Sequence, residues 1–256
     1  ARGQHGHAHR VPQPFASMTL TSSIIRRLLP CALVVLAACA PLSPTQTEYP
    51  VGRARLALPP GAWEDLGAAD EAIEVLPAPA STMALQARAV ALRGARQELL
   101  AVLRVHTNRD NHPRDPVYWT GRCPQQEGMM VEDATRGSTV RVDCLRFKRR
   151  ADGTQWLEKN DPDFARWLDR RKIVMGKPYS YLSYRYAATG SAVVEVDVLV
   201  DPRLLTPVAR NNHEFLAAGW PALQWGRDLA QAVRVSTGMM DGYLAIPPFP
   251  FAIPIP

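Results

Sequence analysis

The chain has 256 residues, 46% of them hydrophobic and 21% charged, a composition that excludes disordered, collagen-like and multi-span membrane proteins. Residues 1–38 hold four of the 30 basic residues and none of the 24 acidic ones, which leaves 26 basic against 24 acidic residues. The remaining net charge of +2 gives the folded part no basic stripe, so we expect no nucleic-acid partner. The two densest basic runs, 146–150 and 166–172, are predicted to be solvated faces.

The amino-terminal segment has the pattern of a secretory leader. Residues 1–17 lack an initiator, and we expect them to be an extension outside the working protein, because Met18 is the first plausible start. Arg26 and Arg27 then precede an apolar run over 28–40, which is shorter than the roughly 20 residues that a membrane-spanning helix needs. The sequence therefore predicts a cleaved signal peptide over residues 18–38.

Leu36-Ala37-Ala38-Cys39 ends this leader. The motif resembles the lipobox of bacterial lipoproteins, in which Leu and two small residues precede an invariant Cys; the resemblance covers residues 18–39 only. It implies cleavage before Cys39, a diacylglycerol on its sulfur and an acyl chain such as palmitate on the new amino terminus. Ala40 stands where an Asp would retain the protein in the inner membrane, which implies an outer-membrane location facing the periplasm. The alternatives are an ordinary signal cut after Ala40 and an uncleaved anchor.

Two cysteines are left for the folded body. Cys31 leaves with the leader and Cys39 carries lipid if the resemblance holds, so only Cys123 and Cys144 remain. Two cysteines outside the cytoplasm predict one disulfide. A reactive pair or a metal site are the alternatives, but no CxxC or HxxxH motif accompanies these residues, and we predict no metal.

Residues 39–50 mix Pro with small polar residues and are predicted to be a lipidated tether. Residues 51–245 are predicted to form a single α+β periplasmic domain. Alternation of apolar residues predicts its first strands, which we expect at Ala54–Leu58, Ile73–Leu76, Met83–Leu92 and Glu98–Thr107. The last two form a hairpin, although helix is an alternative for the Ala-rich first arm.

The second half of the body alternates between loops, strands and helices. Residues 108–124 are rich in Asp, Asn, Pro and Gly and are predicted to be a loop. The predicted elements after it are a strand at Ser138–Phe147, a helix capped by Asp161, a valine-rich hairpin of Tyr179–Ala187 and Ala192–Val200, a helix at Trp220–Ser236 and a Pro-rich tail over 246–256. This order predicts a largely antiparallel β-sheet packed against two or three helices.

One local cluster has side chains of the kind that catalysis uses, namely His106, Asp110, His112 and Asp115. Such residues can ligate a metal or form a base and its orienting partner. Their spacing fits no standard ligand pattern, and Arg109 and Arg114 beside them oppose a cation, so an ordinary polar loop is favoured. Nucleophile-elbow, phosphate-loop and HExxH motifs are missing, and we predict no catalytic residue and no cofactor.

The leader and the lack of a catalytic motif favour a non-enzymatic envelope lipoprotein that binds or assembles with another envelope protein. Its first partner is the membrane, through the lipid on Cys39. One alternative is a lipid-anchored hydrolase or metal-dependent enzyme that uses the His106–Asp115 segment. Another is a small-ligand carrier with an apolar cavity between the sheet and the helices, near the valine-rich hairpin.

Overall fold

The computed structural model describes residues 48–76, 82–109, 117–119, 123–189, 192–207, 209–217, 220–239 and 241–252. Residues 45–256 form one compact unit, and the predicted α+β class is confirmed. The strands are β1 Glu48–Val51, β2 Ala54–Ala57, β3 Ala62–Glu74, β4 Thr82–Arg93, β5 Leu99–Asn108, β6 Met130–Asp133, β7 Val142–Ala151, β8 Tyr179–Ala187, β9 Val193–Val200 and β10 Tyr243–Ala245. The helices are α1 Thr154–Asn160, α2 Pro162–Arg170, α3 Pro202–Leu205, α4 Asn212–Ala217 and α5 Trp220–Gly238.

A seven-stranded antiparallel sheet forms the body of the domain, in the order β3-β4-β5-β9-β8-β7-β6. Both predicted hairpins are confirmed, since β4 pairs with β5 and β8 pairs with β9. The two hairpins then meet through the antiparallel pair of β5 and β9. This join places residues that are about 90 positions apart in the chain side by side in the middle of the sheet.

Two strands differ in extent from their predictions. A short strand was expected at Ile73–Leu76, but β3 begins at Ala62 and is 13 residues long. It is an edge strand with many exposed and charged residues, so hydrophobic alternation does not reveal its length. The strand expected at Ser138–Phe147 runs from Val142 to Ala151 instead, because the Ser138 hydroxyl accepts a hydrogen bond from the Arg141 N–H and closes a turn.

One face of the large sheet packs against α5. The buried residues Leu223, Leu229 and Val233 of this helix lie in the same core cluster as the inward valines of β9. Gly226 permits the close approach, because a Cβ at this position would lie 2.8 Å from Cδ1 of Leu182 on β8. The axis of α5 is therefore closer to the sheet than a larger residue at position 226 would allow.

A small second sheet joins the two ends of the domain, in the order β1-β2-β10. β10 pairs with β2 in parallel, and Leu244 lies opposite Leu56. β1 begins at Glu48, inside the range that was predicted to be a tether. The Pro-rich segment packs on the domain, since Phe249 stacks on Trp225 with ring centroids 4.9 Å apart and the Phe251 N–H donates a hydrogen bond to the Leu204 carbonyl.

The opposite face of the large sheet is covered at one end by α1 and α2. Asp161 caps α2 as predicted, because its Oδ1 accepts a hydrogen bond of 3.1 Å from the Phe164 N–H. Phe164, Trp167 and Leu168 are buried in a cluster with residues of β4, β5, β8 and β9. α1 and α2 thus form a small cap over this end of the sheet.

Candidate functional site

The predicted disulfide is confirmed. Cys123 and Cys144 are bonded, with their Cα atoms 5.6 Å apart. The bond ties the segment before β6 to the buried side of β7. Cys39, the predicted lipidation site, lies outside the described residues.

Of the four candidate catalytic side chains, His106 lies among the described residues. Asp110, His112 and Asp115 lie outside them. The His106 side chain is on β5 and is buried, with Nδ1 3.0 Å from Oε2 of Glu71. Among the described residues, no group of three or more His, Cys, Asp or Glu side chains has the arrangement that a metal ion needs. His106 therefore contacts Glu71 within the fold.

His106 belongs to a buried polar cluster on the face of the sheet that α1 and α2 partly cover. The strand register places two rows of polar side chains side by side across β7, β8, β9 and β5. The first row is Arg146, Ser183, Asp197 and Arg104, and the second contains Arg185, Glu195 and His106. Cross-strand neighbours of opposite charge stabilise a sheet, and here Asp197 lies opposite Arg104 and Glu195 lies opposite Arg185.

Arg104 and Asp197 form the centre of this cluster. The Nη2 atom of Arg104 lies 3.0 Å from Oδ2 of Asp197 and 3.6 Å from Oδ1 of Asp161. The guanidinium also stacks over the ring of Phe164, 4.4 Å from its centroid. The Tyr181 hydroxyl donates a hydrogen bond of 3.2 Å to Oδ2 of Asp161. The amino-terminal end of α2 is therefore fastened to the sheet by charged and aromatic contacts.

Burial and neighbouring charges shift the pKa values of two carboxyl groups of this cluster, Asp161 and Asp197, in opposite directions. Burial, followed by repulsion from Asp197, raises the pKa of Asp161 to about 6. Burial favours the neutral form of Asp197 too, but attraction to Arg104 and Arg185 holds the pKa of Asp197 below its ordinary value. Asp197 thus carries the negative charge that balances the buried Arg104. Removing either partner of such a buried pair leaves an uncompensated charge, which is strongly destabilising.

Several polar atoms of the cluster are buried without a hydrogen bond to any described residue. They are Arg104 Nε, His106 Nε2, Arg146 Nε, Ser183 Oγ and Asp197 Oδ1. Leaving a buried polar group unpaired costs about 1–3 kcal/mol. Arg146 is only 1% exposed, so the prediction of a solvated face over 146–150 is wrong at this residue.

A cleft of about 560 Å³ lies beside this cluster, between the helical cap and the sheet. Cavities that bind small molecules have volumes of about 300–1,000 Å³. The apolar side chains of the cleft come from α1, α2, the following loop, β8 and β9, and they are Leu157, Pro162, Ala165, Leu168, Ile173, Val174, Met175, Tyr179 and Leu199. Tyr179 and Leu199 belong to the valine-rich hairpin, so the cleft lies where the small-ligand hypothesis requires a cavity.

Charged side chains border the cleft. They are Arg166, Lys172, Lys177, Glu158 and Asp169, and all of them are exposed. None of the polar-cluster residues lines the cleft. The cleft is therefore an accessible, mainly apolar surface that is separate from the buried charges, and it is the candidate binding site.

Sequence reasoning did not identify this site. The available signal was the segment 171–178, in which Ile173-Val174-Met175 stands between basic residues and no acidic residue occurs. Hydrophobic periodicity cannot identify such a short segment as the wall of a cleft, because the position of the segment in the fold depends on α2.

Comparisons of the chain with protein-family models, with curated proteins and with solved structures found no match. Within the described part of the chain, none of the helices is both long enough and apolar enough to cross a membrane.

Proposed function

We propose that this chain is a non-enzymatic binding module of the bacterial envelope, which holds a small apolar or amphipathic molecule in the cleft between α1, α2 and the valine-rich hairpin. The observation that carries this proposal is the cleft itself, with its volume of about 560 Å³ and its mainly apolar lining. The polar cluster supports binding over catalysis, because its charges are buried and compensate each other away from the cleft.

The membrane anchor is the second part of the proposal. The motif Leu36-Ala37-Ala38-Cys39 supports lipidation of Cys39, and Ala40 supports an outer-membrane location facing the periplasm. Because disulfides persist in oxidising compartments, the bond between Cys123 and Cys144 supports a location outside the cytoplasm. Two or more acyl chains give stable attachment, whereas a single chain binds only marginally.

Binding can be tested with N-phenyl-1-naphthylamine, a neutral probe whose fluorescence rises in apolar surroundings. The full chain carrying Cys39→Ala is titrated with the probe and compared with two further variants in the same background. Ala165→Phe adds a ring to a partly buried position in the cleft, whereas Ala217→Phe adds the same ring to an exposed position on α4. We expect Ala165→Phe to weaken binding by about tenfold or more and Ala217→Phe to leave it unchanged.

Glu158→Trp provides a second block if Ala165→Phe does not fold, since Glu158 is exposed and borders the cleft. Equal affinity in the parent and in both cleft variants would place the probe elsewhere and refute the proposed site. Absence of saturable probe binding to the parent would refute the binding function.

The anchor can be tested by the intact mass of the protein extracted from the membranes of its native host. We expect a chain that begins at an acylated Cys39 and gains two hydrogen atoms on reduction. A Cys39→Ala chain that still partitions with the membranes would contradict lipid anchoring.

A further inference from the structure

The segment 171–178, called the basic loop from here on, forms one wall of the cleft. It follows α2 directly and contains Arg171, Lys172 and Lys177 but no acidic residue. Its start is fixed by hydrogen bonds from the Lys172 and Ile173 N–H groups to carbonyl oxygens of the last turn of α2. The first part of the basic loop is therefore held against the end of α2.

The cations around the cleft differ in their contacts. Arg171 stacks on Trp167, 4.9 Å from its ring centroid, and donates a hydrogen bond to the Leu66 carbonyl. Arg166 forms an ion pair with Asp163. The side chains of Lys172 and Lys177 make no hydrogen bond or ion pair with any described residue. Two ammonium groups at the mouth of the cleft are thus available to an incoming anion.

An exposed aliphatic side chain stands between these two lysines. Val174 is 78% exposed, more than any other large hydrophobic residue described, and it lines the cleft together with the buried Met175. Covering Val174 with a hydrocarbon chain would remove apolar surface from water, which is favourable. The mouth therefore combines cationic and apolar groups within a few residues.

From this arrangement we infer that the ligand of the cleft is a single-chain amphiphile with an anionic head. The head contacts the ammonium groups of Lys172 and Lys177, and the chain lies against Val174 and continues along Leu157 and Leu168. This inference rests on the proposed binding function and specifies the class of ligand.

Charge complementarity selects an anionic head over a cationic one. Glu158 and Asp169 also border the cleft, but they belong to α1 and α2, whereas the basic loop that carries Val174 has no acid. Ion pairs at an exposed rim are screened by salt, so the preference for an anion is expected to weaken as the salt concentration rises.

The test compares two ligands of equal chain length, dodecanoate below its critical micelle concentration and dodecan-1-ol below its solubility limit. Each displaces N-phenyl-1-naphthylamine from the full Cys39→Ala chain. We expect dodecanoate to displace the probe at about tenfold lower concentration than the alcohol, because charge-assisted contacts exceed neutral ones. In Lys172→Gln/Lys177→Gln, the two ligands are expected to differ by no more than about twofold.

A matched control removes the same charge from nearby positions. Lys159 and Arg170 are exposed and do not line the cleft, so Lys159→Gln/Arg170→Gln is expected to keep the preference for dodecanoate. This control separates a contact at the mouth from a general effect of positive charge.

The outcomes distinguish this inference from the proposed function. Equal displacement by dodecanoate and dodecan-1-ol in the parent would overturn the anionic head and leave the binding function intact. A preference that survives in Lys172→Gln/Lys177→Gln would overturn the role of these lysines. Dodecylammonium serves as a third ligand, and its displacement of the probe at lower concentration than dodecanoate would assign the head group to Glu158 and Asp169 instead. Absence of probe binding would remove the proposed function and this inference with it.

Discussion

Ser180 and Ser183 lie three residues apart on β8, both fully buried, and their hydroxyl groups have different surroundings. The Ser180 hydroxyl donates a hydrogen bond of 2.6 Å to the Arg149 carbonyl. The Ser183 hydroxyl lies in the polar cluster and has no hydrogen-bond partner among the described residues. A serine hydroxyl therefore stabilises the fold at position 180 and destabilises it at position 183.

Replacing each serine with alanine is expected to lower the free energy of unfolding at Ser180 but not at Ser183. Ser180→Ala removes a made hydrogen bond and should lower it by about 1 kcal/mol. Ser183→Ala removes an unpaired buried hydroxyl and should leave it unchanged or raise it by about 1 kcal/mol. Chemical denaturation of both variants checks this, and a loss at Ser183 equal to that at Ser180 would contradict the assignment.

Asp161 is expected to make stability depend on pH. Burial and the charge of Asp197 raise its pKa from an ordinary 3.8 to about 6, so the folded chain holds this proton more tightly than the unfolded chain. Its contribution is therefore fully present below about pH 4 and is lost as the pH rises through about 6. Glu71 and Asp197 have lowered pKa values and act in the opposite sense, losing their contributions as the pH falls.

Asp161→Asn removes this titration and keeps an oxygen that can accept from the Phe164 N–H. We expect the variant to gain stability relative to the parent as the pH rises from 4 to 7. Denaturant unfolding at a series of pH values gives the difference curve. A flat difference between the two proteins would show that Asp161 does not titrate in this range.

Arg234 is expected to hold α5 on the sheet more strongly than Arg227, seven residues before it. Arg234 donates two hydrogen bonds of 2.9 Å to Asp143, which also accepts from the Tyr184 hydroxyl and is buried. Arg227 makes a similar pair with Glu132 at the surface. Arg234→Met should lower the free energy of unfolding by about 1–2 kcal/mol, whereas Arg227→Met should have little effect. Equal losses in the two variants would contradict this distinction.

The disulfide between Cys123 and Cys144 is expected to stabilise the domain by restricting the unfolded chain. Its loop spans 21 positions, and closing a loop of this size contributes about 3 kcal/mol. Dithiothreitol should lower the unfolding midpoint of the parent and leave that of Cys123→Ala/Cys144→Ala unchanged. A parent insensitive to complete reduction would show that the bond adds no stability.

Local patterns predict the hairpins and the capped helices of this fold. Alternating valines define β9, and Asp161-Pro162-Asp163 marks the start of α2. α1 has no such mark, because the residue before it is Gly153, which has no side chain to cap the helix. A helix without a cap or a wide apolar stripe is not distinguished from a loop by sequence alone.

The polar cluster and the cleft depend on contacts between distant parts of the chain. A charged residue at an alternating position of a strand ordinarily indicates an exposed face, yet Asp197 is fully buried. Its partner Arg104 is 93 residues away, and only the pairing of β5 with β9 brings them together. The cleft likewise requires α1, α2 and the valine-rich hairpin in their final positions.

The parallel pairing of β2 with β10 sets an order in which the domain is completed. β2 is among the first described segments to be synthesised, and β10 is among the last. Roughly 190 residues separate them, so most of the domain must be present before the two strands can pair. Until then one edge of β2 has no partner strand, and Leu56 lacks its neighbour Leu244. A chain that lacks Tyr243–Ala245 would therefore expose an apolar edge of β2.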